Sequence, residues 1–260
     1  MNNSNRENIA ISSIIVAKNE EKNIKRCIES QVGIVDEIIL IVDSSTTDNT
    51  LQIASAYKDV KCEVADWKGY SGTKKYALSK TTNDWILWVD ADEELTDELR
   101  NELQNFKQTI PLHNAYNIAR RAFFLGKWIK HSGWYPGYVT RLFNKNFTRF
   151  DDKDVHENLT IDGSVGKLKS DLNHYTDPTI EHYLNKFNHY TTLAAAQLDK
   201  QNRKASVIDI LFRPLFLFVK MYIFRIGFLD GLHGFILAIF SSAYVFTKYT
   251  KLWELNRKKK

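Results

Sequence analysis

Trp85-Ile86-Leu87-Trp88-Val89-Asp90-Ala91-Asp92 is the stretch that decides the fold. Five apolar, mostly bulky residues run straight into two carboxylates two positions apart. A short continuous apolar run of this kind predicts a strand buried on both faces, as in a parallel sheet covered by helices. In open α/β sheets, ligands bind just beyond the carboxyl ends of such strands. Two aspartates delivered there, with a small residue between them, can hold a divalent metal and the diphosphate that it carries. A strand ending in an acidic turn that caps the next helix is the plainer reading of this stretch taken alone.

The sequence on either side repeats the pattern. Ile11–Ala17 reads as a first buried strand, followed by a helix over residues 20–31 with Ile24, Cys27 and Ile28 on one face. Glu37–Val42 is a second strand, stopping at Asp43. The turn at residues 44–49 is rich in capping residues, and a helix continues over 50–57. A short strand near 60–65, a Gly-containing loop over 66–72 and a helix over 73–80 lead into the strand at 84–90. Strand and helix alternate, so the spacing predicts an α/β fold with a mostly parallel sheet and right-handed crossovers. A helix over about 96–107 follows, with Thr96 as its cap. Residues 115–175 read as shorter strands and loops, and residues 179–203 and 206–253 as helical.

Composition sets further bounds. The 260 residues suffice for one large α/β domain and an appendage, and 43% hydrophobic residues can build its core. The two cysteines, Cys27 and Cys62, have no metal-type spacing, which suits free thiols in a reducing compartment. Residues 1–10 are polar and lack the apolar centre of a signal peptide, so the catalytic part is expected to face the cytosol. Residues 203–260 carry 11 Lys/Arg against 3 Asp/Glu, within a chain of net charge +5. A mildly acidic body therefore precedes a basic tail, which points to a membrane surface or a nucleic acid as partner.

Polar clusters stand immediately after three of the strands: Lys18-Asn19-Glu20, Asp43, and Asp90 with Asp92. In a parallel sheet these ends share one edge and can converge. Asp43 could accept hydrogen bonds from a base or ribose, or cap its own turn. Asp92 suits a hard cation such as Mg²⁺ or Mn²⁺, which takes oxygen ligands and bridges phosphates.

These motifs together resemble the inverting family 2 glycosyltransferases of the GT-A fold. The resemblance rests on Ala-Lys-Asn-Glu-Glu at 17–21, Val-Asp-Ser-Ser-Thr-Thr-Asp-Asn-Thr at 42–50 and Asp-Ala-Asp at 90–92. Gly72-Thr73-Lys74-Lys75-Tyr76-Ala77-Leu78, Trp134-Tyr135-Pro136, Arg141-Leu142-Phe143, Val155-His156-Glu157 and Gly227-Phe228-Leu229-Asp230-Gly231 extend it. They are similar to a branch that includes bacterial lipopolysaccharide-core glucosyltransferases. The resemblance covers about residues 11–255. Ser45 stands where the family often has Gly, and Lys75 where it has Asn.

The resemblance implies a Rossmann-like GT-A domain over residues 1–202, with a donor half at about 11–107 and an acceptor half at about 108–202. A helical, aromatic-rich tail over 203–260 would associate with a membrane or oligomerise. It implies transfer of a hexose, with inversion, from a nucleoside-diphosphate sugar (UDP-hexose foremost) to a lipid-linked or lipopolysaccharide-core saccharide. Ala17, Asn19, Glu20, Asp43, Gly72, Lys75, Asp90 and Arg141 would serve the donor. Asp92 and His174 would hold the metal. Trp134 and Tyr135 would offer a stacking platform to the acceptor sugar, or simply pack. Inversion needs one general base within reach of the acceptor hydroxyl. Glu157 is the choice from the Val-His-Glu motif, with Asp154 and Asp152 as alternatives and His156 as an orienting group. The implied location is the cytoplasmic face of the bacterial inner membrane, held peripherally.

The tail carries 12 of the chain's 33 aromatics between residues 212 and 253. Its longest stretch free of Asp, Glu, Lys and Arg is residues 231–247, marginal against the ~20 apolar residues of a membrane span. Aromatics with flanking cations suit helices lying in the headgroup region, and a homo-oligomer through the same surface is compatible. The tail has too many bulky apolar residues for a nucleic-acid-binding arm, so no nucleic acid is expected. A sugar-nucleotide nucleotidyltransferase would need a Gly-rich phosphate loop after the first strand, and Lys18-Asn19-Glu20-Glu21 has no glycine. A non-catalytic nucleotide-sugar-binding protein is the other alternative.

Overall fold

The structure is a computed structural model that describes residues 8–150 and 159–258. Its elements run β1 (Ile11–Ala17), α1 (Ile24–Glu29), β2 (Glu37–Asp43), α2 (Thr50–Ser55), β3 (Val60–Ala65), α3 (Gly69–Ser79), β4 (Trp85–Trp88), β5 (Glu93–Leu95) and α4 (Asp97–Phe106). They continue with β6 (Ala115–Phe124), β7 (Lys127–Trp128), β8 (Gly137–Asn144), β9 (Thr148–Phe150), β10 (Leu159–Ile161), β11 (Val165–Asp177), α5 (Ile180–Lys200), α6 (Val207–Val219) and α7 (Gly231–Lys258).

The chain divides into two compact units. The first comprises residues 1–120 and 138–174, the second residues 121–137 and 175–260. In the main sheet the strands lie in the order β3-β2-β1-β4-β8-β6-β11-β5. β3, β2, β1 and β4 are parallel, β8 runs antiparallel to β4, and β5 antiparallel to β11. The parallel half forms because its strands are apolar on both faces: every residue of β2 and β4 is buried. Ile11, Ile15, Leu40, Leu87, Leu99 and Leu103 form one core with α1 and α4, while Ile14, Ile41, Ile86 and Phe143 form another on the opposite face.

Several boundaries differ from those read from sequence. β4 ends at Trp88, because Asp90 turns back to Glu93. α3 begins at Gly69 rather than 73, where Gly69 takes a left-handed φ of 76°. Where shorter strands were expected over 115–175, β6 has 10 residues and β11, which runs on to Asp177, has 13. Thr96 does cap α4, accepting a hydrogen bond from the Leu99 N–H.

In the second unit, the Gly227–Gly231 motif acts as a joint. Asp230 accepts hydrogen bonds from the backbone N–H groups of Lys130 and His131 and lies 3.1 Å from His131 Nδ1. A Cβ on Gly234 would sit 2.0 Å from the Gly227 carbonyl oxygen, so only glycine permits this approach. α6 exposes Val207, Ile208, Leu211, Phe212, Leu215 and Phe216, a helical stripe of large apolar side chains. The helical run Gly227–Lys258 is long and apolar enough to cross a membrane by length and composition.

The parallel half has a pH-sensitive tie. Glu37, at the start of β2, is buried and accepts hydrogen bonds from Ser12 Oγ (2.6 Å), Lys61 Nζ (2.6 Å) and the Thr82 N–H (2.9 Å). Burial alone would raise its pKa, but these bonds override it and hold the value at about 2, against an ordinary 4.5. The folded value is the lower one. The stability Glu37 contributes is therefore fully present above pH 4.5 and is lost as the pH falls towards 2. Over that window the native chain should lose roughly 3 kcal/mol that Glu37→Gln does not lose. Urea midpoints measured across the window check this; parallel curves for the two proteins would exclude Glu37 as the tie.

Candidate active site

The site is built where β1, β2 and β4 end together, within the first unit. Register pairs Ala17 with Val42 and Ile14 with Trp88, so residues 17–20, 43–50 and 89–92 emerge at one edge. The loops there are cross-laced. Asn19 takes a left-handed φ of 54°, and its Oδ1 accepts from the Thr47 N–H at 2.8 Å. The Glu20 N–H donates to Thr50 Oγ1 at 2.7 Å, and the Glu21 N–H to Asp48 Oδ2 at 3.0 Å. Ala17 is buried at the strand end. Asn19 and Glu20 thus brace the strand-end loops.

Behind this edge lies a knot of buried charge. Arg141, on β8, donates from Nη2 to Asp90 Oδ2 and to Glu93 Oε1, the latter at 2.7 Å. Lys74 Nζ, from α3, lies 3.3 Å from Asp90 Oδ1 and 3.7 Å from the centroid of the Trp88 ring. The Trp88 indole N–H also donates to Asp90 Oδ1, at 3.1 Å. The turn closes on itself, with the Asp90 N–H donating to Glu93 Oε2 at 3.0 Å and the Glu93 N–H to the Asp90 carbonyl at 2.9 Å. Burial would raise the Asp90 carboxyl, but Arg141 and Lys74 override it and hold it well below the usual carboxylate range. Glu93 is 1% exposed, and burial pushes its carboxyl up, with Arg141 opposing and Asp90 adding. Burial would also lower Arg141; the two carboxylates outweigh it and raise its pKa, so Arg141 stays a cation. Asp90 is therefore occupied by protein groups, and the turn it anchors leaves Asp92 at the open edge.

β5 brings the metal candidates together. It pairs antiparallel with β11, placing His174 opposite Glu93. His174 Nε2 lies 3.3 Å from Asp92 Oδ2, with both side chains about one-fifth exposed, at 17% and 22%. Residues 82 positions apart in sequence thus present an imidazole nitrogen and a carboxylate oxygen to the same space. Among the described residues no three His, Cys, Asp or Glu side chains form a closed metal cage. An open pair of donors fits Mg²⁺ or Mn²⁺, which keep waters and share phosphate oxygens with a substrate.

At the end of β2, Asp43 is 2% exposed. Its Oδ1 accepts from the Ser45 N–H (2.8 Å) and Ser45 Oγ (2.7 Å). Those two bonds lower its pKa, burial opposes, and Lys18 adds to the lowering. Oδ2 is buried, faces the half-exposed Lys18 ammonium at 3.3 Å, and accepts no well-directed hydrogen bond. A buried acceptor without a directed donor is costly unless a ligand supplies one.

Comparison with known proteins places this geometry. Residues 12–160 match the profile described as Glycosyl transferase family 2. The chain belongs to glycosyltransferase family 2. It is 33% identical to an uncharacterised glycosyltransferase of Rickettsia typhi, over 95% of this chain and 88% of that one. It is 30% identical to the lipopolysaccharide core biosynthesis glycosyltransferase LpsC of Rhizobium meliloti, over 95% and 93%. A mannosyltransferase of Pyrobaculum calidifontis, solved with GDP-Man and Mn²⁺, has a similar fold. Its TM-score is 0.53 at 13% identity, covering 94% of this chain and 87% of that chain. The fold is GT-A, with aromatic-rich helices at the carboxyl end.

The remaining expected residues of this family 2 enzyme fall in different places. In α3 it is the buried Lys74 whose ammonium reaches Asp90, while Lys75 is half-buried. Gly72 has a packing reason: a Cβ there would lie 2.9 Å from that of Lys68. Trp134 and Tyr135 belong to the second unit, where they meet Phe124 and Trp128 edge-on. Asp152, Asp154, His156 and Glu157 lie outside the described residues. Sequence reasoning missed Glu93, Lys74 and Trp88. The signal for Glu93 was present, as a third acid just after Asp90-Ala91-Asp92, but it reads equally well as a helix cap.

The knot and the metal pair should separate by stability. Arg141→Met leaves Asp90 and Glu93 without their cation and should cost on the order of 3–5 kcal/mol. Asp92→Asn removes a partly exposed acid and should cost no more than about 1 kcal/mol. Urea unfolding of the two variants checks both values; equal costs would mean that Asp92, too, belongs to the framework.

Proposed function

We propose that this family 2 enzyme is an inverting, metal-assisted hexosyltransferase. It takes a hexose from a nucleoside-diphosphate sugar, UDP-hexose foremost, and delivers it to a lipid-linked or lipopolysaccharide-core saccharide. The observation that carries the reading is the pair of Asp92 and His174 on the same sheet edge as Asp43, whose Oδ2 faces only the half-exposed Lys18 ammonium among the described residues. One strand, β1, separates β2 from β4. Their ends therefore stand about 10 Å apart at ~4.8 Å per strand spacing. That span suits a nucleoside at Asp43 and a diphosphate at Asp92.

Each residue then has a task. Asp43 Oδ2 accepts an N–H of the base or a ribose hydroxyl, once Lys18 swings into solvent. Asp92 and His174 hold a divalent cation, which when bound neutralises charge on the departing diphosphate. Asp90, Arg141, Glu93 and Lys74 fix the turn that carries Asp92, so the donor meets a site already in place. A carboxylate of the 151–157 run, Glu157 by its motif, takes the proton from the acceptor hydroxyl. Trp134 and Tyr135 serve the acceptor.

Support for a glycolipid-type acceptor comes from the tail. Its exposed apolar stripe on α6 and its flanking cations suit a helix lying in a leaflet's headgroup region. We place the enzyme on the cytoplasmic face of the inner membrane, attached peripherally. The relative named for lipopolysaccharide core biosynthesis is consistent with that acceptor class.

Nucleoside-diphosphate release, screened over a panel of UDP- and GDP-sugars with Mn²⁺ or Mg²⁺, tests the donor and the metal together. Turnover should vanish in excess EDTA and in Asp92→Asn; full activity in either would exclude the metal assignment. Glu157→Gln should lower transfer by ~10²–10⁴-fold while donor affinity is nearly unchanged. If Asp154→Asn or Asp152→Asn loses transfer and Glu157→Gln does not, the base is the other carboxylate.

A further inference from the structure

The second unit contains a cavity of ≈ 470 Å³ that shares Trp134 with the proposed acceptor side and none of the donor-site residues. Trp134, Tyr183 and Met221 give it an aromatic and apolar wall, and Ser132 lies within it. Lys220 and Arg225, both exposed, stand on its lining. Ser132 is 4% exposed, and its Oγ faces Gly227 with no hydrogen-bond partner among the described residues.

The backbone is shaped to bring the two cations together. After α6 the chain makes a π-turn over Lys220–Phe224, closed by the Arg225 N–H donating to the Lys220 carbonyl at 2.8 Å. In an α-helix, residues five apart point some 140° away from each other. The wider π-turn returns them to one side, and such turns concentrate at functional sites. Arg225 then lies along the Gly133 backbone: a Cβ on Gly133 would come within 3.8 Å of its Cγ. The neighbouring backbone is strained. Ile226 (φ 46°) and Ser132 (φ 60°) are both left-handed, costly for a β-branched residue, and the Ser132 N–H donates to the Arg225 carbonyl at 2.9 Å. No carboxylate lies within ion-pair distance of Lys220 or Arg225 among the described residues. Between them and just beyond, Ile223, Phe224 and Phe228 are exposed, Phe224 at 72%.

Two unpaired cations on one side, a half-apolar cavity behind them and exposed apolar side chains beside them specify an amphiphile with an anionic head. A nucleic acid would need a longer track of cations, and a free sugar would leave the apolar rim in water. We propose that this cavity is a binding site for a lipid-borne phosphate. The phosphate is held by the Lys220 ammonium and the planar donor fork of Arg225. The aromatic wall receives the polar group attached to it, and Ile223 and Phe224 meet the hydrocarbon. The choice of a lipid over a soluble ligand rests in part on the membrane-acting reading above, but the site needs neither donor nor turnover.

The test uses the full chain and no sugar nucleotide. Flotation with phosphatidylcholine vesicles, with and without phosphatidic acid, measures the preference for lipid phosphate. Lys220→Ala/Arg225→Ala should cut binding to the phosphatidic-acid vesicles by roughly tenfold or more and leave binding to plain vesicles unchanged. Arg257→Ala/Lys258→Ala removes the same charge elsewhere and should keep most of the preference. Calorimetry with short-chain, monomeric phosphatidic acid should show binding that the Lys220→Ala/Arg225→Ala variant loses, with inorganic phosphate at least about tenfold weaker. Equal losses in the two double variants would reduce the effect to diffuse attraction and overturn the site. Phosphate binding as tightly as the lipid would overturn the lipid assignment. Lipid binding without any sugar-nucleotide turnover would leave this site standing and remove the transferase reading instead.

Discussion

The arrangement depends on one buried cation. Arg141 sits among Asp90 and Glu93 with 8% of its side chain exposed. Taking such groups out of water costs several kcal/mol per ion, and the knot holds because each charge meets an opposite one, Arg141 bonding both carboxylates through Nη2. Its value is positional. Arg141 comes from β8, Asp90 from the end of β4, Glu93 from β5 and Lys74 from α3. Four elements are thereby fixed around the Asp90–Glu93 turn, and the other carboxylate of that turn, Asp92, meets His174 at the edge of the sheet. The knot separates two acids that are close in sequence: Asp90 is consumed by the framework, and Asp92 stays outside it beside His174.

The second unit solves its own packing problem by close backbone approach. Gly227 and Gly234 let two helical segments meet without a Cβ between them, and Asp230 caps the 130–131 backbone from inside that joint. Lys251 reaches Asn188, Thr191 and Thr192, tying α7 to α5. With these faces satisfied, the large apolar side chains of α6 and of the 223–229 segment are turned outward. A basic, aromatic tail therefore serves two ends at once, an internal polar fastening and an external apolar face.

The parallel half of the fold was legible because strands buried on both faces advertise themselves as unbroken apolar runs. Asp43, Asp90 and Asp92 stood out as candidates for the same reason, since each lies just beyond such a run, and the register brings those strand ends to one edge. β5 was not: Glu93-Glu94-Leu95 has two acids in three residues and forms a strand only because β11 pairs with it. The long strands β6 and β11 were also hidden. They carry Arg120 and His174, which pair with Glu93 and Asp92, and a buried Asp171, so polar residues interrupt the apolar pattern. The choice between Lys74 and Lys75 turned on which face of α3 meets Trp88, which local spacing does not reveal. His174 was reached by resemblance to relatives rather than by pattern, and the structure sets it beside Asp92.

The central claim is that Asp92 and His174 jointly form the metal end of a donor site. Pulsed electron paramagnetic resonance of the full chain with Mn²⁺ and a nucleoside diphosphate tests it directly. The account predicts a histidine nitrogen coupled to the Mn²⁺ electron spin, present in the native chain and absent in His174→Ala. A Mn²⁺ signal bound to the protein but free of nitrogen coupling, or one unchanged by His174→Ala, would contradict it.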